Sequence, residues 1–276
     1  ANNAGNYNVA IGVDAMGSVN AYVHDESKAD GNVAIGQNAL HGGAFPDAAN
    51  LLVGNIAIGY NALDHTADNP QTGTIAIGYN ALTALTTGAR NIAIGYEALD
   101  SLTLGLDNIA IGYAAGGALA TGDAPLSNIA IGSYAFSSAA NVELDNIAIG
   151  KNAMLSLKEG ESQHANQNIA IGSSALTGGS ISGGDFIGNI AIGKNAMTGT
   201  GTSPQTGTIA IGDSALSALS SGVRNLAIGY QALQHTDTGT DNTAIGYNAM
   251  YDQDVGGGGN AADCDHNTAI GSSSMS

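Results

Sequence analysis

The sequence predicts an all-β protein: a parallel β-solenoid of about fourteen short coils in which one short phrase, written once per coil, stacks on its own copies. Three observations point there. The tripeptide Ala-Ile-Gly recurs fourteen times in 276 residues. The residues around it alternate with the period of two expected of a strand. The intervals between copies vary while the phrase does not. Its glycines are Gly12, Gly36, Gly59, Gly78, Gly95, Gly112, Gly132, Gly150, Gly172, Gly193, Gly212, Gly229, Gly246 and Gly271, spaced by 24, 23, 19, 17, 17, 20, 18, 22, 21, 19, 17, 17 and 25 residues. A coiled coil needs a constant period of seven, so a fixed phrase between unequal intervals means fixed strands joined by variable loops.

The phrase reads Asn, apolar, Ala, Ile, Gly, two variable residues, Ala, then commonly Leu or Met. The Ala-Ile pair is present in all fourteen copies, and the leading Asn in twelve, with Thr74 and Thr208 in its place elsewhere. Alternation puts the two flanking apolar residues on one face of the strand and Asn and Ala on the other. Stacked copies then form ladders, represented by Asn91, Ala93, Ile94 and Gly95 and by Asn108, Ala110, Ile111 and Gly112 one coil later. Ile94 is expected to point inward, the Asn carboxamides to hydrogen-bond along the stack and to turn backbone, and the small Ala to allow close packing between chains. Gly bends the chain, and the Ala-Leu pair after it is expected to begin a second short buried segment. A helix is the poorer reading, because Gly interrupts every copy.

A second period lies above the first. The spacing run 19, 17, 17 occurs twice, displaced by 134 residues, and residues 70–99 match 204–233 at 22 of 30 positions. Residues 1–276 are therefore expected to form one continuous solenoid of two seven-repeat halves, about 1–138 and 139–276. Neither end carries an atypical capping repeat, which suggests a longer fibre or coils that continue from one molecule to the next.

Composition fits this plan. The chain has 41 glycines, three phenylalanines and no tryptophan, so its interior is built from many small contacts rather than bulky aromatics. A net charge of −17, from 23 acidic and six basic residues, disfavours nucleic acid, whose phosphates need clustered Lys and Arg. No apolar stretch approaches the eighteen residues of a membrane helix. The single Cys264 cannot make an internal disulfide.

With "NIAIGYNAL" the chain resembles the head repeats of YadA-like trimeric autotransporter adhesins, and it looks like the longer-coil variants in bacterial surface and phage fibres. The resemblance covers residues 8 to about 274 and implies a left-handed parallel β-roll, often trimeric, exposed on a cell or virion surface. The coils here are longer and less regular, and no anchor barrel, coiled-coil stalk or chaperone segment is visible. "IGYNAL" also fits the hexapeptide rule of left-handed β-helix acyltransferases. Those proteins repeat the hexad three times per coil; here one fits, and spacings of 17, 19 and 20 are not multiples of six.

Signs of chemistry are sparse. His24, His41, His65, His164, His235 and His266 fall between the phrases without zinc-site spacing, and no GxSxG, Walker A or Cys-His arrangement is present, so the chain reads as no enzyme. No cofactor is expected, calcium excepted: Asp252, Asp254, Asp263 and Asp265 surround four glycines and could offer carboxylates to Ca²⁺, though in no EF-hand or RTX spacing. Tyr60, Tyr79, Tyr96, Tyr113, Tyr230 and Tyr247 follow the phrase glycine and should form an aromatic stripe, either stiffening the stack or contacting a host-surface glycan or protein. The expected role is a non-catalytic extracellular fibre or filament subunit whose partner is itself, as a homotrimer, an end-to-end polymer or both. The alternative is an adhesin or phage tail-fibre segment that recognises a host surface through its loops. An ice-binding solenoid would need a flat Thr-rich face, and Thr is scattered here.

Overall fold

A computed structural model describes residues 6–17, 20–21, 29–42, 44–45, 51–65, 71–117, 119, 125–137, 144–155, 158–159, 164–178, 180–181, 184–199, 205–235, 238–251 and 265–275. The fold is an all-β parallel solenoid, with no helix among the described residues. The chain divides into two compact units, Ala1–Tyr134 and Ala135–Ser276.

In the first unit the phrase forms the strands Val9–Ile11, Val33–Ile35, Ile56–Ile58, Ile75–Ile77, Ile92–Ile94, Ile109–Ile111 and Ile129–Ile131. Successive strands pair in parallel with like residues in register: Ala76 opposite Ala93, Ala93 opposite Ala110, Ala110 opposite Ala130. A second parallel ladder runs through Ala29–Asp30, Leu52–Val53 and Gln71–Thr72, and another pairs Thr87–Ala89 with Leu104–Leu106. The second unit repeats the plan with Ile147–Ile149, Ile169–Ile171, Ile190–Ile192, Ile209–Ile211, Leu226–Ile228, Thr243–Ile245 and Thr268–Ile270. Its second ladder is Ala165–Asn166, Phe186–Ile187 and Gln205–Thr206. The solenoid has about nine turns, against which the expected count of about fourteen coils is loose.

Burial reverses one expectation. Each Ile-Ala-Ile strand hides its central Ala and leaves both Ile partly exposed. Ala93 and Ala110 are 0% exposed, as are Asn91 and Asn108, whereas Ile94 is intermediate and Ile111 is 37% exposed. Ile94 and Ile111 thus face outward, contrary to the inward assignment. The invariant Ala serves the coil's own interior, so its small size is no argument for close packing between chains. The physical reason lies in the turn. The large apolar side chains of the interior come from the residues after the phrase, such as Leu82, Leu99 and Met154, all wholly buried, and the strand adds beside them only its Ala methyl group and hydrogen-bonded carboxamide.

The buried Asn would be costly if unpaired, and it is not. Asn91 Oδ1 accepts from the backbone N–H and the Nδ2 of Asn108, both at 3.1 Å, while Asn91 Nδ2 donates to Gly105 O at 2.8 Å. The same bonds link Asn32 to Asn55 and Asn168 to Asn189. Each of these carboxamides therefore links to the stack and also across its own turn.

The segment after the glycine is buried as expected but is a turn, not a strand. Glu97 and Leu99 have φ of 53° and 50°, a left-handed conformation that costs a non-glycine residue roughly 1 kcal/mol each. Two gains offset this. Leu99 is wholly buried, a contribution of about 2 kcal/mol, and the turn stacks like the strands, with Glu97 N donating to Tyr79 O at 2.9 Å and Leu99 N to Ala115 O at 3.0 Å.

Candidate assembly surface

The outward residues of the phrase define the candidate surface. In each unit the Ile before the phrase glycine forms a parallel ladder, joined in most strands by a second Ile two residues earlier, each partly covered by the residues above and below and otherwise open. The phrase glycine then turns the chain, which brings the following residue to the edge of this apolar stripe. Tyr60, Tyr79, Tyr96 and Tyr113 stack there with ring centroids 5.0–5.2 Å apart and planes within 10° of parallel. Tyr134 closes the row edge-on at 5.2 Å. In the second unit Tyr230 and Tyr247 stack at 5.4 Å. Tyr96 is 43% exposed, yet its ring faces meet its neighbours, so the stripe presents edges and hydroxyls. Partial burial in the stack and the Glu97 carboxylate both raise the Tyr96 hydroxyl above its ordinary range. The Tyr96 hydroxyl is therefore uncharged near neutral pH.

Charge lies elsewhere on the surface, in ion pairs that span adjacent coils. Arg90 Nε and Nη2 reach Asp107 Oδ1 and Oδ2 at 2.6 and 2.7 Å, and Arg224 makes the same fork on Asp241 at 2.6 and 2.8 Å. All four occupy a left-handed turn position just before the buried Asn. The hydrogen bonds and charge of Arg90 hold the Asp107 carboxyl below its usual range, and Arg224, helped by His266, does the same for Asp241. A carboxyl whose pKa falls on folding contributes stability above its unfolded pKa, near 3.9, and loses it as pH drops through the lower folded value. Both partners are solvent-exposed, so the effect is small. Asp107→Asn is expected to lower the melting temperature slightly at pH 7, with the gap to the parent closing below about pH 3. Melting curves across pH 2–8 check this; a gap that widens in acid would contradict it.

Of the expected calcium ligands, Asp252, Asp254 and Asp263 lie outside the described residues, as do Cys264 and His24. Asp265 is described: its Oδ1 accepts from Thr240 N at 2.7 Å and so ties two coils together. Among the described residues no group of three His, Cys, Asp or Glu could hold a metal ion. The described histidines are scattered. His41 sits 3.2 Å from Asp64, His65 Nδ1 is 2.9 Å from Thr83 O, His164 N donates to Asp185, His235 meets the Tyr251 ring edge-on and His266 lies 3.5 Å from Asp241.

Fold and surface together define a class: a parallel β-solenoid repeat protein with an apolar outer stripe. No protein-family profile, curated protein or solved structure matches the chain. Among the described residues, no helix is long and apolar enough to cross a membrane.

Proposed function

We propose that this chain is a non-catalytic, extracellular structural protein, a fibre or filament subunit that associates with copies of itself through its solenoid. The observation that carries the reading is the outward Ile ladder. One Ile in every strand and a second in most, repeated over successive coils and edged by stacked Tyr, make an exposed apolar stripe, the kind of patch that marks an interaction surface. A matching stripe on another copy would cover it side by side, as in the trimeric heads that the repeats resemble. End-to-end growth is supported by the in-register pairing, since any coil can receive a copy of its neighbour. An adhesin or tail-fibre segment is the second reading, favoured by the exposed Tyr edges and hydroxyls, which suit hydrogen bonding to a host-surface glycan or protein.

Light scattering over a concentration series, paired with negative-stain electron microscopy, tests the first reading. Particles of trimer mass, or filaments lengthening with concentration, are expected. A particle that stays monomeric up to about 100 μM, weaker than any stable assembly interface, would overturn it.

A further inference from the structure

The carboxamide ladder is broken once in each unit, at the two positions where threonine replaces asparagine. Thr74 N still donates to Asn55 Oδ1 at 2.9 Å, and Thr208 N to Asn189 Oδ1 at 3.0 Å, so each threonine receives the ladder from one side. Neither passes it on. Both are 0% exposed, and neither Oγ1 has a hydrogen-bond partner in the protein. The backbone N–H of Asn91 therefore lacks a carboxamide acceptor of the kind that Asn91 Oδ1 provides for the N–H of Asn108.

A second unpaired oxygen accompanies the first. Three residues before each threonine stands a buried glutamine. Gln71 Nε2 donates to Leu85 O at 2.9 Å and Gln205 Nε2 to Leu219 O at 3.1 Å, but Gln71 Oε1 and Gln205 Oε1 have no partner. This position adjoins the ladder. In the next coil it is Gly88, where a Cβ would lie 3.2 Å from Asn91 Nδ2, and in the coil after that Gly105, where a Cβ would lie 3.0 Å from Asn108 Nδ2. The glutamine stem thus starts against the threonine side chain. Leaving a buried polar atom unpaired is costly, and here two oxygens are left in the same arrangement in both units, within the same peptide, Gln-Thr-Gly-Thr.

We propose that each unit holds one ordered, buried water molecule at its threonine rung, bound by Thr74 Oγ1, Gln71 Oε1 and the Asn91 N–H in the first and by Thr208 Oγ1, Gln205 Oε1 and the Asn225 N–H in the second. The donor and acceptor inventory selects water. The glutamine oxygen needs a donor, the asparagine N–H needs an acceptor, and the hydroxyl serves as either. A metal cation would meet an N–H with no lone pair to offer it, in an interior whose buried polar side chains are the neutral Asn, Gln and Thr. Threonine is one heavy atom shorter than asparagine along the ladder direction, which frees room for the small bridging group. Three protein partners are typical of an internal water. The site lies inside the coil and does not depend on the assembly reading.

A crystal structure of the intact chain tests it. A solvent peak about 2.7–3.0 Å from both Thr74 Oγ1 and Gln71 Oε1 is expected, repeated at Thr208 and Gln205 and lost in Thr74→Asn, whose carboxamide fills the rung. Empty density at both rungs, or a peak that gains anomalous signal after rubidium exchange and is therefore a cation, overturns the proposal. A second measurement is independent of crystals. Thr74→Val removes one of the water's partners, and a melting temperature lower by about 2–4 °C is expected. A dry, unpaired hydroxyl would make valine neutral or stabilising, so an unchanged or raised melting temperature also overturns it.

Discussion

Gly95→Ala is expected to unfold at least the coil that contains it. Gly95 has a φ of +141°, and a Cβ there would lie 2.3 Å from Gly112 O and 2.7 Å from its carbonyl carbon. Neither neighbour is a side chain that can swing aside. Relief requires parting the two coils, which would break the bond from Gly112 N to Ile94 O at 2.8 Å and the matched pairing around it. A strained φ together with a backbone clash puts the cost at roughly 3–5 kcal/mol or more, a large part of the stability of an ordinary domain. Gly73→Ala is the control. Its φ of +65° is also left-handed, but the nearest atom to an added Cβ is Arg90 Cγ at 3.9 Å, so only the conformational penalty of about 1 kcal/mol applies. Urea unfolding of both variants measures the difference, and equal midpoints would disprove the close approach of the coils at the phrase glycine.

The second large effect separates folding from association. Ile94→Asp combined with Ile111→Asp places two carboxylates on the outer face, where solvent reaches them, and a loss of about 1 kcal/mol or less per site is expected in the isolated chain. Assembly should fail, because a facing copy would have to bury both charges unpaired. Ala93→Asp should behave oppositely, since a carboxylate in that closed interior costs several kcal/mol and unfolds the coil. Circular dichroism and sedimentation on the two variants give a crossed result: folded but monomeric for the Ile pair, unfolded for Ala93→Asp. Unfolding of the Ile variant with survival of Ala93→Asp would return Ile to the inside.

That reversal marks how far the sequence could be read. The repeat located the strands, and the alternation correctly grouped Asn91 with Ala93 and set Ile94 on the other face. Alternation alone does not say which face is inside, and the usual rule that the larger apolar residue goes inward fails on the strand because turn residues such as Leu99 already fill the interior. A usable signal was present. The first apolar position of the phrase is Val9 or Val33, Ile in most copies, Leu226, and then Thr243 and Thr268, a tolerance that suits a solvent-facing site, while the Ala never varies. The turn geometry was less accessible. Glu97, Leu99 and Arg90 are residues that seldom take positive φ, and the stacking of like turns helps to hold them there. The threonine rungs were visible as exceptions in the sequence, but their unpaired oxygens emerge only when the buried glutamine beside them is placed.

The carboxamide ladder also gives the solenoid a direction. From Asn8 through Asn32 to Asn55, from Asn91 to Asn128, and from Asn146 to Asn189, each Nδ2 donates to the Oδ1 of the preceding coil, never to the following one. The amide dipoles along each run therefore add rather than cancel. Two coils meeting in opposite orientations would set oxygen against oxygen, or N–H against N–H, at the core of the junction. The proposed growth by coil stacking would accordingly be vectorial, and a fibre built that way would have two chemically distinct ends.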